Sequence, residues 1–254
     1  MDNTKRVQAI DRAVAILKCF SEQRRELKLT DIADELGLNK STVHGIITTL
    51  KHHGLIDQNE ENQKYRLGLY ILELGDILIS SMDIRNVASP IIKDICAKLE
   101  ETVHLGALDN MDVVYIDKQE SNQSMRIFTT IGTRNPAYCT GIGKAMLAYV
   151  DTETLVEQLP ENLERFTQNT LTEKAELLKE LESIREKGYA MDNEERIEGL
   201  TCVASPVFDH TGKAKYSISV SGPTIRMTKE KIEETVKLVR ESAAEISSRL
   251  GYKA

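Results

Sequence analysis

An acid-free, basic helix within an acidic chain is the feature that most constrains the fold. Residues 39–53 read NKSTVHGIITTLKHH, with two lysines, three of the five histidines and no acid, whereas the whole chain carries a net charge of −7. Apolar residues at i, i+3, i+4 and i+7 predict the buried stripe of an α-helix, and they are Val43, Ile46, Ile47 and Leu50. The opposite face holds cations and short hydrogen-bonding groups suited to phosphates and base edges, namely Lys40, Ser41, Thr42, His44, Gly45, Thr48 and Lys51.

The residues before this helix predict a second, shorter helix. Thr30 is placed to cap it, with Asp31 in the first turn, where the helix dipole favours an anion. Gly37 ends the short helix, and Asn39 is an N-cap for the basic one. Helix, short glycine-containing turn and helix are the order of a helix-turn-helix unit.

A β-hairpin is predicted directly after the basic helix. Gly54 stops that helix, residues 55–56 and 64–67 read as strands, and residues 59–62 read as the turn between them. Such a hairpin is the wing of a winged helix-turn-helix; the alternative is an ordinary pair of antiparallel helices with a solvated basic face. With the wing included, the candidate DNA-contacting residues are Lys40, Ser41, Thr42, His44, Thr48, Lys51, Lys64 and Arg66.

Composition bounds the remaining possibilities. At 254 residues and 41% hydrophobic content, the chain is long enough for two domains, each with a core. No apolar run approaches the ~18 residues of a transmembrane helix, and the N-terminus has no apolar signal-peptide segment. The four cysteines are scattered without a Cys-x-x-Cys pair, which favours reduced thiols in a cytoplasm and argues against a structural zinc finger. We therefore expect a cytoplasmic protein with no membrane contact and no cofactor or metal.

Charge is divided unevenly along the chain. Residues 1–66 hold 11 Lys and Arg against 10 Asp and Glu, a net charge of +1, which leaves a net charge of −8 for residues 67–254. Because an acidic region repels a polyanion, a nucleic acid would have to be bound by the first region.

Periodicity divides the chain into three segments. Residues 1–67 are predicted to form the winged helix-turn-helix, with a first helix over residues 6–20. Residues 68–82 are predicted to form an apolar linker helix that can take part in a dimer contact. Residues 83–254 mix strands with helices and are predicted to form an α+β domain.

The elements of the α+β domain follow from the change of period along the chain. Its first helix is predicted at residues 83–102, where Pro90 requires a place near the helix start or a kink. Strands are predicted at residues 104–109, 112–117, 125–130, 202–208 and 215–222. Helices are predicted at residues 141–150, 172–187 and 228–250, the last two capped by Thr172 and Thr228. The apolar spacing of the last helix indicates that it lies on a sheet.

Three places in this domain carry groups suited to chemistry. The stretch TGIGKAMLA, residues 140–148, leaves backbone N–H groups free for an anion, although a tight loop-to-helix turn is the alternative. Ser217, Ser219 and Ser221 alternate along one strand, which is typical of a solvated face; the alternative is the floor of a polar pocket. Asp192 and Cys202 could form a catalytic pair or two zinc ligands, but a nucleophilic cysteine needs a nearby base, and a buried unreactive thiol is the alternative.

The ordered set of motifs resembles the IclR family of bacterial transcription regulators. The N-terminal resemblance lies in LTDIADELGLNKSTVHGIITTLKHHGLI and YRLG, and the later one in GKAMLA, GYAMDNEE, GLTCVASPVFD and SISVSGP. These motifs span nearly the whole chain in the family's order. The resemblance implies a winged helix-turn-helix, a linker helix and a GAF-like α/β effector-binding domain, assembled as a homodimer or homotetramer.

The resemblance also implies a pocket for a small organic acid or aromatic metabolite. By motif, its residues would be the backbone of Gly141 and Ile142 together with Asp192, Cys202, Ser219 and Ser221. A carboxylate would then be held by neutral donors without a dedicated arginine, and Asp192 would accept a hydrogen bond from a ligand hydroxyl or hydrate.

Three positions depart from the family's pattern. The chain has Gly45 where the recognition helix often has arginine, His44 where it often has tyrosine, and Tyr138 where histidine is common. The glycine costs roughly 1 kcal/mol of helix propensity and removes a long DNA-contacting side chain. Neither the operator nor the ligand can therefore be copied from a relative.

The residues and the resemblance together predict a DNA-binding regulator. It would be a non-enzymatic repressor whose affinity for a palindromic or pseudo-palindromic operator is controlled by a carboxylate metabolite. Two alternatives remain: a cysteine-dependent small-molecule hydrolase with an appended DNA-binding module, and a sensor that binds only a protein partner.

Overall fold

The chain folds into two compact units, Met1–Ser81 and Met82–Ala254. The structure is a computed structural model that describes residues 7–124 and 129–253. In the first unit, the elements are α1 (Gln8–Lys18), α2 (Leu29–Leu36), α3 (Lys40–His52), β1 (Ile56–Gln58), β2 (Tyr65–Leu67) and α4 (Tyr70–Ser80).

The first unit is a winged helix-turn-helix, as predicted. Its core lies where α1, α2, α3 and β1 meet, and its most completely buried side chains are Ile16, Ile32, Val43, Ile47 and Ile56, each at most 1% exposed. Val43, Ile47 and Leu50 of the predicted stripe are buried, and Ile46 packs beside them. The stripe therefore sets which face of α3 is left to solvent.

Helix α2 ends at the predicted glycine but begins at a different residue from the one predicted. Gly37 takes a left-handed conformation with φ of 61°, which ends α2. The prediction that Thr30 caps α2 is wrong, because the helix begins at Leu29 and Lys28 holds the cap position. The Asp31 carboxylate accepts a hydrogen bond from the Lys28 backbone N–H at 3.1 Å, which satisfies a free donor of the first turn.

Strands β1 and β2 form an antiparallel pair in which Asp57 lies opposite Arg66. The turn is tied to the body of the unit by Glu26, whose carboxylate accepts from the Asn59 amide at 3.0 Å and from the Asn62 amide at 2.7 Å. The wing is therefore fixed by side chains at both its strands and its tip.

The second unit is an α+β domain built on a six-stranded antiparallel sheet of order β5-β4-β3-β8-β7-β6. Its strands are β3 (Thr102–Asp109), β4 (Asp112–Gln119), β5 (Arg134–Pro136), β6 (Ala190–Asn193), β7 (Leu200–Val207) and β8 (Tyr216–Pro223). Its helices are α5 (Asp83–Leu99), α6 (Gly141–Leu147), α7 (Thr152–Gln158), α8 (Lys174–Lys187) and α9 (Lys229–Arg249), with a 3-10 turn at Ala137–Cys139.

Two cores flank this sheet. Helices α5 and α9 pack on one face against Val103, Leu105, Ile218 and Val220, which confirms that the last helix lies on a sheet. Helices α6 and α8 pack on the other face. Because successive side chains of a strand point to opposite faces, His104, Cys202, Ser219 and Ser221 face α6.

Several predicted element ends move. Helix α5 ends at Leu99 and carries Pro90 in its interior, α6 ends at Leu147, and α8 begins at Lys174 with Glu173 in the cap position predicted for Thr172. Thr228 does cap α9, accepting from the Lys231 N–H. Of the strand predicted at 125–130, residues 125–128 lie outside the described part of the chain, and Thr129 and Thr130 are not in a strand. Helix α7 and strands β5 and β6 were not predicted.

Candidate functional site

The exposed face of α3 carries an ordered stripe of polar residues. Lys40, His44, Thr48 and Lys51 follow one another at spacings of 4, 4 and 3, so they lie along one side of the helix, and all four are exposed. Ser41 is also exposed, and Thr42 is partly buried. This stripe is available to a polyanion along the whole length of the helix.

Two of these groups already make contacts. The Thr48 hydroxyl donates to the His44 carbonyl at 2.8 Å, and the Lys51 ammonium donates to the Gln58 side-chain oxygen of β1 at 3.3 Å. Within the described residues Lys40 has no ion pair. A Cβ added at Gly45 would meet nothing within 4 Å, so the absent arginine leaves open space.

The wing contributes one cation that is partly neutralised. Arg66 pairs with Asp57 across the two strands at 2.7 Å, and this hydrogen bond lowers the pKa of the Asp57 carboxyl. Lys64 is partly buried and close to the turn. Of the predicted wing contacts, Arg66 therefore has to give up or share a carboxylate before it can reach a phosphate.

In the second unit, one cavity is lined by all six residues predicted for the ligand. These are Gly141, Ile142, Asp192, Cys202, Ser219 and Ser221. The same cavity is lined by Thr140, which begins the predicted glycine-rich stretch, and by residues that the sequence did not predict, namely His104, Tyr115, Thr129, Asn135, Arg196, Ile197 and Leu200. Six separate strands and the start of α6 contribute to this wall, so no local pattern could have assembled it.

The start of α6 presents backbone donors to the cavity. Thr140 caps the helix by accepting from the Gly143 N–H at 3.1 Å, whereas the N–H groups of Gly141 and Ile142 have no partner in the described part of the chain. A Cβ on Gly143 would lie 2.3 Å from the Ala137 carbonyl oxygen, so only glycine fits there. The glycine-rich stretch thus brings free N–H groups to the cavity wall.

The serine face of β8 is buried, which overturns the expected solvated face. Ser217, Ser219 and Ser221 are 0%, 2% and 4% exposed. Ser219 and Ser221 line the cavity, while Ser217 lies outside it and donates to the Ser205 carbonyl at 2.9 Å. The burial of Ser219 and Ser221 in the cavity wall agrees with the alternative expectation, the floor of a polar pocket.

Asp192 is the buried acid of the cavity. It is 2% exposed, and burial raises the pKa of its carboxyl to about 7. One carboxylate oxygen accepts from the Glu195 backbone N–H at 2.7 Å. Asp192 can therefore exchange a proton near neutral pH and can accept a hydrogen bond from a ligand.

Hydrogen bonds and an ion pair anchor the loop that follows Asp192. The Glu195 carbonyl accepts from the Thr170 hydroxyl at 2.6 Å, and the Glu194 carbonyl accepts from the Thr167 hydroxyl at 2.6 Å. The Glu195 carboxylate pairs with the ammonium of Lys144, a residue of α6 that is only 1% exposed. These contacts fix the loop that carries cavity residues Asp192 and Arg196.

His104 and Cys202 line the same cavity, but neither is poised for hydrolysis. Burial lowers the pKa of His104 to about 4, so the imidazole is neutral at physiological pH. Burial also raises the pKa of Cys202 well above its usual value, which disfavours the thiolate that a cysteine nucleophile needs. All four cysteines are free and buried. The burial of His104 and Cys202, which shifts both pKa values away from the thiolate and the charged imidazole, therefore argues against the hydrolase alternative.

Arg196 lies in the wall of the cavity, in which a carboxylate was expected to be held without a dedicated arginine. Its Nε atom lies 3.4 Å from the Asn135 side-chain oxygen, and its guanidinium carbon lies 3.9 Å from the centre of the Phe166 ring. Sequence reasoning missed it because nothing local distinguishes this arginine from its neighbours in the acidic run NEER.

Asp192 and His104 are expected to give opposing pH dependences of stability. Asp192 has a raised pKa in the folded state, from 3.8 to about 7, so its contribution is lost as pH rises through that window. His104 has a lowered pKa, from 6.5 to about 4, so its contribution is lost as pH falls through that window. In the native protein the two slopes offset each other where the windows overlap.

Single substitutions should separate these slopes. Asp192→Asn should make the free energy of unfolding rise with pH between about 4 and 6.5, and His104→Gln should make it fall between about 4 and 7. In each variant, the slope of the unfolding free energy against pH should correspond to the binding or release of about one proton. Chemical denaturation across a pH series measures it. Profiles identical to that of the native protein in both variants would contradict these assignments.

Between residues 7 and 253, leaving out 125–128, no three His, Cys, Asp or Glu side chains are grouped so as to hold a metal ion. The helices of that same part of the chain include none long and apolar enough to cross a membrane.

Comparison with known proteins gives matches along the whole chain. Residues 9–60 match the family model described as the IclR helix-turn-helix domain, and residues 77–248 match that of the bacterial transcriptional regulator IclR C-terminal region. The regulator XynR of Escherichia coli K12 is 38% identical over 98% of this chain and 99% of its own length. The E. coli K12 repressor AllR is 33% identical over 98% of this chain and 93% of its own.

Solved structures agree with the fold. The IclR protein of Thermotoga maritima has a TM-score of 0.75 at 35% identity, covering 96% of this chain and 98% of its own. An IclR homologue of Microbacterium hydrocarbonoxydans, solved with 4-hydroxybenzoate, has a TM-score of 0.82 at 25% identity, covering 95% of this chain and 98% of its own.

Proposed function

Because the chain belongs to the IclR family of bacterial transcriptional regulators, we propose that a small organic acid bound in the second unit controls its affinity for a DNA operator. Its relatives are named as transcriptional regulators, so the chain is a DNA-binding regulator and not an enzyme. The observation that carries the ligand proposal is the convergence of the six motif residues on one cavity.

We assign DNA binding to residues 1–67, a linking role to residues 68–82, and ligand binding to residues 83–254. Helix α3 would contact base edges through Ser41, Thr42, His44 and Thr48, and phosphates through Lys40 and Lys51. In the wing, Lys64 and Arg66 would contact the backbone of the duplex. As a DNA-binding regulator, the protein would act in the cytoplasm, where bacterial DNA lies.

Lys40→Ala is expected to weaken binding to all DNA sequences alike. Each phosphate-neutralising cation contributes about one unit to the slope of log affinity against log salt concentration, so this slope should flatten by about one unit. Fluorescence anisotropy with genomic fragments across a salt series measures it. Lys179→Ala, at an exposed lysine of α8, is the matched control and should leave the slope unchanged. An unaltered slope in the Lys40 variant would remove this residue from the phosphate contacts.

The assembly is proposed to be a homodimer, able to pair into a tetramer. Helix α4 has no buried residue. Its N-cap residue Leu69 and its helical residues Leu72, Ile77 and Leu78 are each more than half exposed, which suits contact with a second copy. A twofold dimer would present two α3 helices to half-sites about 34 Å apart, or multiples of that, which makes the operator pseudo-palindromic. The name of AllR favours repression as the sign of regulation.

The ligand proposal is tested by thermal shift with a panel of small organic acids. A bound acid stabilises the folded state by mass action, so an acid that fits should raise the melting temperature of the full chain. Ser219→Ala should abolish that shift, whereas Ser217→Ala, on the same strand but outside the cavity, should retain it. A shift that survives Ser219→Ala would place the ligand elsewhere and contradict the proposed function.

A further inference from the structure

Arg196 brings a fixed cation to the ligand cavity. Its Nε atom donates to the Asn135 side-chain oxygen at 3.4 Å, and its guanidinium carbon lies 3.9 Å from the centre of the Phe166 ring. The cation–π contact and the hydrogen bond reduce the number of orientations open to the guanidinium. A pre-oriented guanidinium loses less conformational entropy on binding an anion than a free side chain does.

This cation has no acid of its own. Arg66, Arg134 and Arg226 each pair with a carboxylate, but no carboxylate pairs with Arg196 in the ranges 7–124 and 129–253. Of the acids within two residues of Arg196, the Glu195 carboxylate pairs with Lys144, the Glu194 carboxylate accepts from the Gly199 N–H at 2.7 Å, and Glu198 is exposed. Arg196 therefore brings to the cavity wall a positive charge that no ion pair within those ranges neutralises.

The cavity wall also carries the Asp192 carboxyl group, which favours a different part of the ligand from the one that Arg196 favours. Once ionised, its carboxylate repels a ligand carboxylate and favours a hydroxyl donor. A ligand that satisfies both residues has an anionic end near Arg196 and a hydroxyl end near Asp192. The serine hydroxyls and the free N–H groups of α6 can serve the remaining oxygens.

The size of the cavity limits the ligand further. The cavity has a volume of about 40 Å³, room for roughly three water molecules. An aromatic acid would require the walls to move apart, whereas a short-chain acid would replace the water that fills such a space.

We propose that Arg196 is the specificity-determining residue of this cavity, binding the carboxylate of a compact 2-hydroxy acid whose hydroxyl donates to Asp192. The inference rests on the proposed function, because it assigns the chemistry of the ligand within the same cavity. It adds a residue outside the six motif positions and makes charge, rather than shape alone, the basis of selection.

Calorimetric titration of the full-length protein tests the role of Arg196 by comparing small acids with uncharged compounds of the same shape. The probes are glycolate and lactate, with glycolamide and lactamide as uncharged isosteres and acetate as the acid without a hydroxyl. The native protein should bind a hydroxy acid at least about tenfold more tightly than its amide or acetate. Arg196→Gln should weaken the acid by at least about tenfold while leaving the amide unchanged, and Arg196→Lys should fall between them.

The outcomes separate the inference from the function on which it rests. Arg249→Gln, at an exposed arginine paired with Glu245 outside the cavity, should leave every affinity unchanged. Acid affinity that is unaltered in Arg196→Gln, with Ser219→Ala still abolishing binding, would overturn the role of Arg196 and keep the cavity as the ligand site. Acid binding that survives Ser219→Ala would overturn both. If the native protein binds none of these acids, the proposal that its ligand is a compact hydroxy acid is overturned.

Discussion

Lys144→Met is expected to lower the free energy of unfolding of the second unit by about 3–5 kcal/mol. Lys144 is 1% exposed, and its ammonium pairs with the Glu195 carboxylate, whose side chain is 9% exposed. Glu180 lies 3.9 Å from the same ammonium. Removing the lysine leaves the Glu195 carboxylate desolvated without a counter-charge, which is far more costly than losing an exposed ion pair.

The pH dependence of this loss identifies its cause. Burial raises the pKa of Glu195 and the Lys144 ammonium opposes that rise, so the variant should raise the pKa further. An acid with a raised pKa in the folded state destabilises it as pH rises, because the unfolded state loses its proton first. The penalty should therefore be largest at neutral and alkaline pH and should fade under acid conditions, where Glu195 is protonated.

A double substitution provides the internal control. Lys144→Met combined with Glu195→Gln removes both charges and should recover most of the lost stability. Lys179→Met, at an exposed lysine on α8, should change stability little. Amide hydrogen exchange of strand β7 in the full chain reports the second unit without assuming two-state unfolding of both units. A Lys144→Met protein as stable as the native one would show that the ion pair is not structural.

Leu72→Lys is expected to dissociate the proposed dimer. Leu72 is 70% exposed on α4, a helix whose apolar residues extend around its circumference without a buried position. Burying a leucine contributes about 1.5–3 kcal/mol, and twofold symmetry counts each residue twice, so the dissociation constant should rise by roughly 10²- to 10⁴-fold. Sedimentation velocity over a concentration series measures this change, and operator affinity should fall with it.

Position on the helix, rather than added charge, should decide the outcome. Glu73→Lys introduces the same cation at a neighbouring exposed position of α4 that is already polar, so it should leave self-association nearly unchanged. If Leu72→Lys sediments as the native protein does at every concentration, α4 is not part of the interface.

The two sites differ in how far sequence alone predicted them. The sequence predicted which face of α3 is exposed, because the helical spacing of Val43, Ile47 and Leu50 identifies the buried face. The neutralisation of Arg66 was not predicted, since it depends on the strand register that places Asp57 opposite it. The cavity residues came from a family resemblance and not from periodicity, and the burial of Ser219 and Ser221 contradicted the expectation from alternation alone.

The sequence by itself determined what depends on neighbours along the chain. Helical periodicity, capping at Thr228 and the left-handed glycine at Gly37 involve contacts within a few residues, so they can be read from a linear pattern. Only the tertiary structure decided which charges meet. Lys144 and Glu195 are 51 residues apart, and Arg196 and Asn135 are 61 apart. Pairing at such separations is set by strand order and by the desolvation of each group, and neither leaves a local signal in the sequence.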